Sequence, residues 1–301
     1  MSRLRRFAFS RVDLLVVLLV VGVSAGLLVS SIDQARAQGR KVESLDKLKQ
    51  LGIACHTYHD ANNQFPSGND KNNFSAAAYL LPYLEQENVF KQIDFTKPIA
   101  DKANAAARAV KIKVFINSLD NAPEGKFGPT NFLYSAGSKL ALEGNDGIFY
   151  QGSSVTITDI SAGTSNTLMI GETLRGDPNE KEPSYRRQYV GLTASEIKAA
   201  KDDAGVQDFK DKKNLHTDRC TSWMDGRFLQ GTFTATLVPN SESPDVDFGG
   251  LGGLSALRST DGAIRVAFCD GSVRSIRQKV DLKVWKAIGN RTNDKPVKVP
   301  D

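Results

Sequence analysis

VDLLVVLLVVGVSAGLLVSSI, residues 12–32, decides how the rest of the chain is read. After Asp13, nineteen residues from Leu14 to Ile32 pass without an ionisable side chain or a proline. A helix rising about 1.5 Å per residue carries such a run across roughly 28 Å, close to the hydrocarbon thickness of a bilayer. Arg3, Arg5, Arg6 and Arg11 precede it with no acidic residue among them. That asymmetry predicts a cytoplasmic N-terminus and export of everything after Ile32. A secretory signal peptide is the competing reading. Its apolar region would be shorter and would end at a small-residue cleavage site, whereas SSIDQARAQGR continues in helix-compatible residues. The expectation is a retained single-pass anchor in the inner (cytoplasmic) membrane, with a head that is periplasmic or extracellular.

Beyond the anchor, Val42, Leu45, Leu48, Gly52, Cys55 and Tyr58 or His59 recur at helical spacing with one apolar face. Asn62, Asn63 and Pro66 end the pattern. One nearly continuous helix is expected from about Val12 to Ala61, apolar all round in its first half and amphipathic in its second. The domain plan is a basic leader at 1–11, a transmembrane half-helix at 12–32, an amphipathic half at 33–62 and an α+β head at 63–301. A variable insert is expected around 175–220.

Composition suits a folded globular head: 40% of residues are hydrophobic and 24% charged. The net charge is +5, of which four positive charges lie ahead of the apolar run, so the remainder is nearly neutral. With no Lys/Arg stripe bearing interleaved aromatics, a nucleic-acid partner is not expected. Three cysteines, Cys55, Cys220 and Cys269, allow one disulfide outside the cytoplasm, and spacing does not choose the pair.

Along the head, residues 75–93 read as helical on both sides of Pro82, and 100–110 as a further helix. KIKVFINS, TNFLYSAG, Gly147–Tyr150, Thr167–Gly171 and Thr221–Val238 read as strands, the last with Asp225–Gly226 as a turn. RGDPNEKEPSYRR, residues 175–187, reads as an exposed loop, and 194–209 as a weak helix that Thr193 and Glu196 would cap. Residues 238–254 read as loop. In AIRVAFCDGSVRSI, Asp270 and Gly271 suggest a two-residue type I′ hairpin turn, with Phe268 facing Val273. A closing helix would bury Leu282, Trp285 and Ile288, with Gly289 at its C-cap.

Seven of these stretches carry a resemblance: LDKLKQLGIACHTYHDANNQFP, AYLLPYLEQENVF, TNFLYSAG, DISAGTSNTLMIGET, CTSWMDGR, VAFCDGSVRSI and VWKAIGNRTND. In this order they resemble the bacterial domain-of-unknown-function 1559 family. The N-terminus resembles the prepilin-type cleavage and methylation segment of type IV pilins and type II secretion pseudopilins. The resemblance implies a pilin-like fold, with a long N-terminal helix on a mostly antiparallel sheet and extra helices. It implies leader removal between Ala8 and Phe9, where Ala8 stands for the usual glycine, and an assembly role for Asp13, which stands for the usual glutamate. Arg11 departs from that pattern at a normally apolar place. The family's common histidine falls on Thr260, and cysteines frequent in it fall on Ser44 and Asn117, which fits the loss of one disulfide.

Sites of chemistry are sparse. Cys55, His56 and His59, with His216 remote from them, invite a zinc reading, but their spacing matches no dedicated site and packing is expected instead. Asp225, Asp245, Asp247 and Asp270 could serve calcium, yet no Asp-x-Asp-x-Asp-Gly loop exists, and turn chemistry is expected for Asp225 and Asp270. GTSNT at 163–167 lacks the G-x-S-x-G elbow, and neither a phosphate-binding nor a dinucleotide-binding motif occurs. No metal, cofactor or catalytic residue is assigned, and an enzyme is not expected. Glu172 is expected to be a buried partner of some donor. Trp223 with Asp225 and Arg227 would make a contact patch if exposed, although core is the expectation for the tryptophan.

The functional expectation is a pilin- or pseudopilin-like structural subunit of an envelope, secretion or surface assembly. Its partners would be the inner membrane, copies of itself or other pilin-like subunits, and a prepilin peptidase. The alternative is a tethered, non-polymerising module that binds an envelope ligand such as carbohydrate.

Overall fold

The computed structural model describes residues 11–123, 125–179, 185–193, 196, 215–277 and 280–293. It divides into two units, 1–42 and 43–301. Helix α1, Arg11–Asn62, runs without interruption through Gly22, Gly26, Gly39 and Gly52. In the first unit Leu14, Val16, Leu18 and Leu19 are each more than half exposed. Among the described residues no helix is long and apolar enough to cross a membrane. Most side chains of residues 12–32, the expected span, lie outside the described residues.

In the second unit, α1 buries Ser44, Leu48, Leu51, Ala54 and Cys55, a stripe recurring at three and four. Val42, expected on that face, is 48% exposed, and Ser44 takes the buried place. Short helices α2 (Ala76–Leu80), α3 (Glu87–Phe90) and α4 (Ala105–Ala109) follow. Ser75 caps α2 by accepting from the Ala78 N–H. Pro82 sits in the first turn of a 3₁₀ segment, Leu81–Leu84, where its missing N–H removes no helical bond.

The described strands form two sheets. Strands β1 (Phe132–Gly137), β2 (Leu168–Glu172), β5 (Thr232–Thr234), β8 (Ala263–Phe268) and β9 (Val273–Arg277) lie in the order β5-β1-β2-β8-β9. Strands β3 (Tyr189–Gly191), β4 (Leu215–His216), β6 (Asp245–Asp247) and β7 (Gly253–Leu254) lie in the order β4-β3-β6-β7. Most pairs are antiparallel as expected, but β1–β5 and β3–β6 are parallel, so both sheets are mixed.

The larger sheet is covered on both faces. Along β1, Phe132 and Tyr134 join the cluster built on α1, while Leu133 joins another with Phe233, Val266, Trp285 and Ile288. The second cluster belongs to helix α5, Leu282–Gly289, capped by Asp281, whose carboxylate accepts from the Lys283 N–H. Alternating side chains therefore all find apolar neighbours, which is why β1 is buried at every position. Leu282 departs from expectation at 39% exposed. Gly289 is the last residue of α5 and not its C-cap; a Cβ there would lie 2.7 Å from that of Ala235.

Several strand expectations fail for local reasons. KIKVFINS forms a 3₁₀ turn at Lys113–Phe115, burying Ile112 and Phe115 three residues apart. Gly147–Tyr150 is irregular chain, its Gly147 and Phe149 N–H groups bonding to Ala136 and Ser135 carbonyls. Only Thr232–Thr234 of 221–238 is a strand, because Cys220 and Leu229 adopt positive φ and turn the chain. Conversely, 238–254 contains β6 and β7. The start of the expected exposed loop is buried at Arg175. The expected helix at 194–209 lies outside the described residues apart from Glu196, whose side chain and N–H bond reciprocally with Thr193. All three cysteines are free and buried, so no disulfide links them.

The β8–β9 hairpin forms, with its register one residue from expectation: Ala267, and not Phe268, pairs with Val273. Only Gly271 has positive φ, at 76°. Its N–H bonds to the Phe268 carbonyl, and the Phe268 N–H to the Ser272 carbonyl. This is a wider turn with one left-handed residue, not a type I′ turn. Gly271→Val should therefore lower the head's stability by about 1–2 kcal/mol through backbone strain, and Gly271→Asn by less. Urea unfolding of the two variants beside the parent checks the order.

Candidate functional site

The polar interior of the second unit is organised by carboxylates between arginines. Glu172, at the end of β2, faces α1: the Ser44 hydroxyl donates to it, and Arg265 of β8 pairs with it at 3.0 Å. Asp261 holds the other side of Arg265 at 2.6 Å. The donors expected for Glu172 are thus Ser44 and Arg265. Burial pushes the Glu172 carboxyl up, and Arg265 and Ser44 oppose that shift.

A second group lies around Thr173. Asp245 is wholly buried between Arg219 at 2.8 Å and Arg258 at 2.6 Å. The Thr173 hydroxyl accepts from Arg219 and from the Arg258 N–H. Next to it, Asn131 donates to the Thr173 carbonyl and to Asp120. Asp120 binds Arg187 at 2.8 Å and the Arg175 N–H at 2.8 Å. Burial disfavours its charge, but these donors hold the Asp120 carboxyl below its ordinary value.

The second sheet carries an open cleft of about 230 Å³ lined by Tyr189, Leu192, His216 and Asp247 among others. The Tyr189 and His216 rings stack at 5.1 Å and 18°. A Cβ on Gly191 would lie 2.7 Å from His216 Nε2, so glycine there leaves room for the ring. The Tyr189 hydroxyl donates to Asp218 at 2.8 Å, and the Gly250 N–H donates to Asp247 at 2.8 Å. Burial raises the Asp247 carboxyl to about 6, with Asp218 adding to the shift.

The residues singled out from the sequence and described within the head do not converge on one place. Ala8 and Phe9 lie outside the described residues; Asp13 is helical and its side chain lies outside them. Asp270 and Gly271 form the hairpin turn, where Asp270 accepts from the Ser272 N–H and Lys49 of α1 donates to the Gly271 carbonyl. His56 and His59 pack against Phe65, and His216 lies in the separate cleft. Among the described residues no group of three or more metal-type ligands converges. Of the calcium candidates, Asp225 pairs with Arg227 and Asp245 with two arginines. Trp223 is wholly buried, donating to the Val110 carbonyl at 2.8 Å, so the patch it would form does not exist. Thr167 and Asn166 bond to backbone carbonyls at 163 and 162, making GTSNT a structured entry to β2. Asn117 accepts from the Leu119 N–H, and Thr260 is exposed. The arginine centres left little sequence signal, since each partner comes from a different stretch.

Asp245→Ala strands two buried guanidiniums and should cost about 3–5 kcal/mol, read from chemical denaturation. Asp247 has a folded pKa above its unfolded one, so its ionised form disfavours folding at neutral pH and acidification relieves this. Asp247→Asn should melt above the parent at pH 7, with the difference disappearing between about pH 6 and pH 4. A pH series of melting temperatures for both proteins reads it.

A family model described as protein of unknown function (DUF1559) matches residues 33–283. No curated protein and no solved structure matches the chain.

Proposed function

The chain belongs to the DUF1559 family, and from that premise we propose that it is a membrane-anchored, pilin-like structural subunit with its head outside the inner membrane. The observation that carries this reading is α1 itself. Leu14, Val16, Leu18 and Leu19 are exposed on it, and residues two apart on a helix point to opposed sides. A helix apolar all round needs an apolar surrounding, which a bilayer or the packed helices of an assembly supplies. The same helix then supplies Leu48, Leu51 and Cys55 to the head's core. Anchor and head are thus joined by continuous helix.

Asp13 is the assembly residue in this reading. A carboxylate beside an apolar run is expensive in lipid unless a cation meets it. A prepilin peptidase cutting after Ala8 would free the Phe9 amine, and that amine on a neighbouring subunit is the matching cation. Asp13→Ala should preserve membrane insertion, because it makes the segment more apolar, and should reduce cross-linking between subunits. Asp13→Glu should retain it. Equal cross-linked ladders from Asp13→Ala and parent, or ladders from neither, would count against assembly. A tethered binding module is the second reading, and the Tyr189–His216 cleft favours it, since stacked rings beside half-buried Asp247 suit a hydroxyl-rich ligand such as carbohydrate.

A further inference from the structure

The end of α1 is tied to a loop far from it in sequence through a histidine. His59, in the last turn of the helix, accepts at Nε2 from the Ile157 N–H at 3.2 Å. Ile157 opens a short 3₁₀ turn, Ile157–Asp159, which Thr156 and Asp159 cap reciprocally. On either side of that turn, Val155 and Ile160 enter the core cluster that also holds Leu51, Ala54 and Cys55 of α1. The Phe65 N–H, just past the helix, donates to the Val155 carbonyl at 2.8 Å. The His59 and Phe65 contacts together hold residues 155–157 against the end of α1.

Because Nε2 accepts, the neutral ring carries its proton on Nδ1. That nitrogen is buried with no hydrogen-bond partner among the described residues, and the Asp60 carboxylate stands 3.8 Å from it. The ring packs on Phe65 at 4.9 Å between centroids, and the side chain is 15% exposed. A second proton turns Nε2 into a donor, so two donors then face each other at Ile157. The bond is lost on that change whatever charges lie nearby. Among the described residues the titratable and charged neighbours are His56 and Asp60 on α1 and Asp159 on the 3₁₀ turn, with Arg291 acting on Asp159. Neighbouring charges set the pH of the change and leave its direction untouched.

We propose that His59 is a proton-operated latch: the neutral ring holds residues 155–160 to the end of α1, and the protonated ring releases them. Imidazoles change charge between about pH 5 and 8, so acidification opens the latch. Val155 and Ile160 are buried, which keeps the opening local and the fold intact. The device lies within the head and needs neither a membrane nor a second subunit, so its failure and that of the proposed function are separate results.

The test uses the full chain in detergent, labelled with ¹⁵N at histidine and isoleucine, followed by NMR and amide hydrogen exchange from pH 8 to pH 5. At pH 8 the His59 Nδ1 should carry the proton and Nε2 should not. The Ile157 protection factor, corrected for the intrinsic pH dependence of exchange, should fall about fivefold as His59 gains its second proton, the effect of losing one ordinary hydrogen bond. His59→Phe keeps a ring against Phe65 and removes the acceptor, so Ile157 should be weakly protected at both ends of the series. A protection factor in the parent that ignores pH, a fall that does not follow the His59 titration, or a proton on Nε2 at pH 8 overturns the proposal. Parental protection of Ile157 in folded His59→Phe does so too. The parent's own series decides where that variant does not fold.

Discussion

The contact on which the rest of the structure depends is the seating of α1 on the larger sheet. Ser44, Leu48, Leu51 and Cys55 form one stripe, and Phe132, Tyr134 and Met169 lie in the same core cluster as its apolar members. Gly52 lies over Met169, where a Cβ would stand 3.4 Å from the Met169 methyl, an ordinary contact. A buried polar contact stands among these apolar ones, the Ser44 hydroxyl on Glu172, and Lys47 and Lys49 donate to the Ile116 and Gly271 carbonyls. Glu172 is held in turn by Arg265, which alternates along β8 with the core residues Ile264 and Val266. Helix position and strand register are thereby tied together.

A sheet covered on both faces has nowhere to place polar side chains except in pairs. Asp120, Glu172 and Asp245 each meet at least one guanidinium, and the surrounding hydroxyls and amides take up remaining donors and acceptors. Such pairs add little net stability over apolar residues of equal size, yet removing one partner is costly. Their geometry is also selective: Thr173 serves both arginine centres, so the loop after β2 can occupy few other positions.

Much of the fold was legible in the sequence where a period was long. The helix over 11–62 followed from an apolar run and a stripe at three and four, and the β8–β9 hairpin from Asp-Gly between two alternating runs. Short elements were not legible. Ile112, Val114 and Ile116 alternate as in a strand, but the side chains buried most deeply are Ile112 and Phe115, three apart, and packing of Phe115 on Trp223 goes with the turn. The hairpin register slipped because Asp270 keeps negative φ, which dipeptide identity does not reveal. Arg175 looked like a loop charge; its burial depends on Asp120, far from it in sequence. Glu172 was singled out, and its partners could not be named because Ser44 and Arg265 lie 128 and 93 residues from it.

In the proposed function, one helix carries an apolar segment and continues into the folded head, and the first eight residues are a leader that a peptidase would remove. Intact-mass and N-terminal analysis of the protein extracted from membranes tests that most directly. The account predicts a chain that begins at an N-methylated Phe9 and retains residues 12–32. A chain beginning after Ile32, or one that keeps Met1, would contradict it.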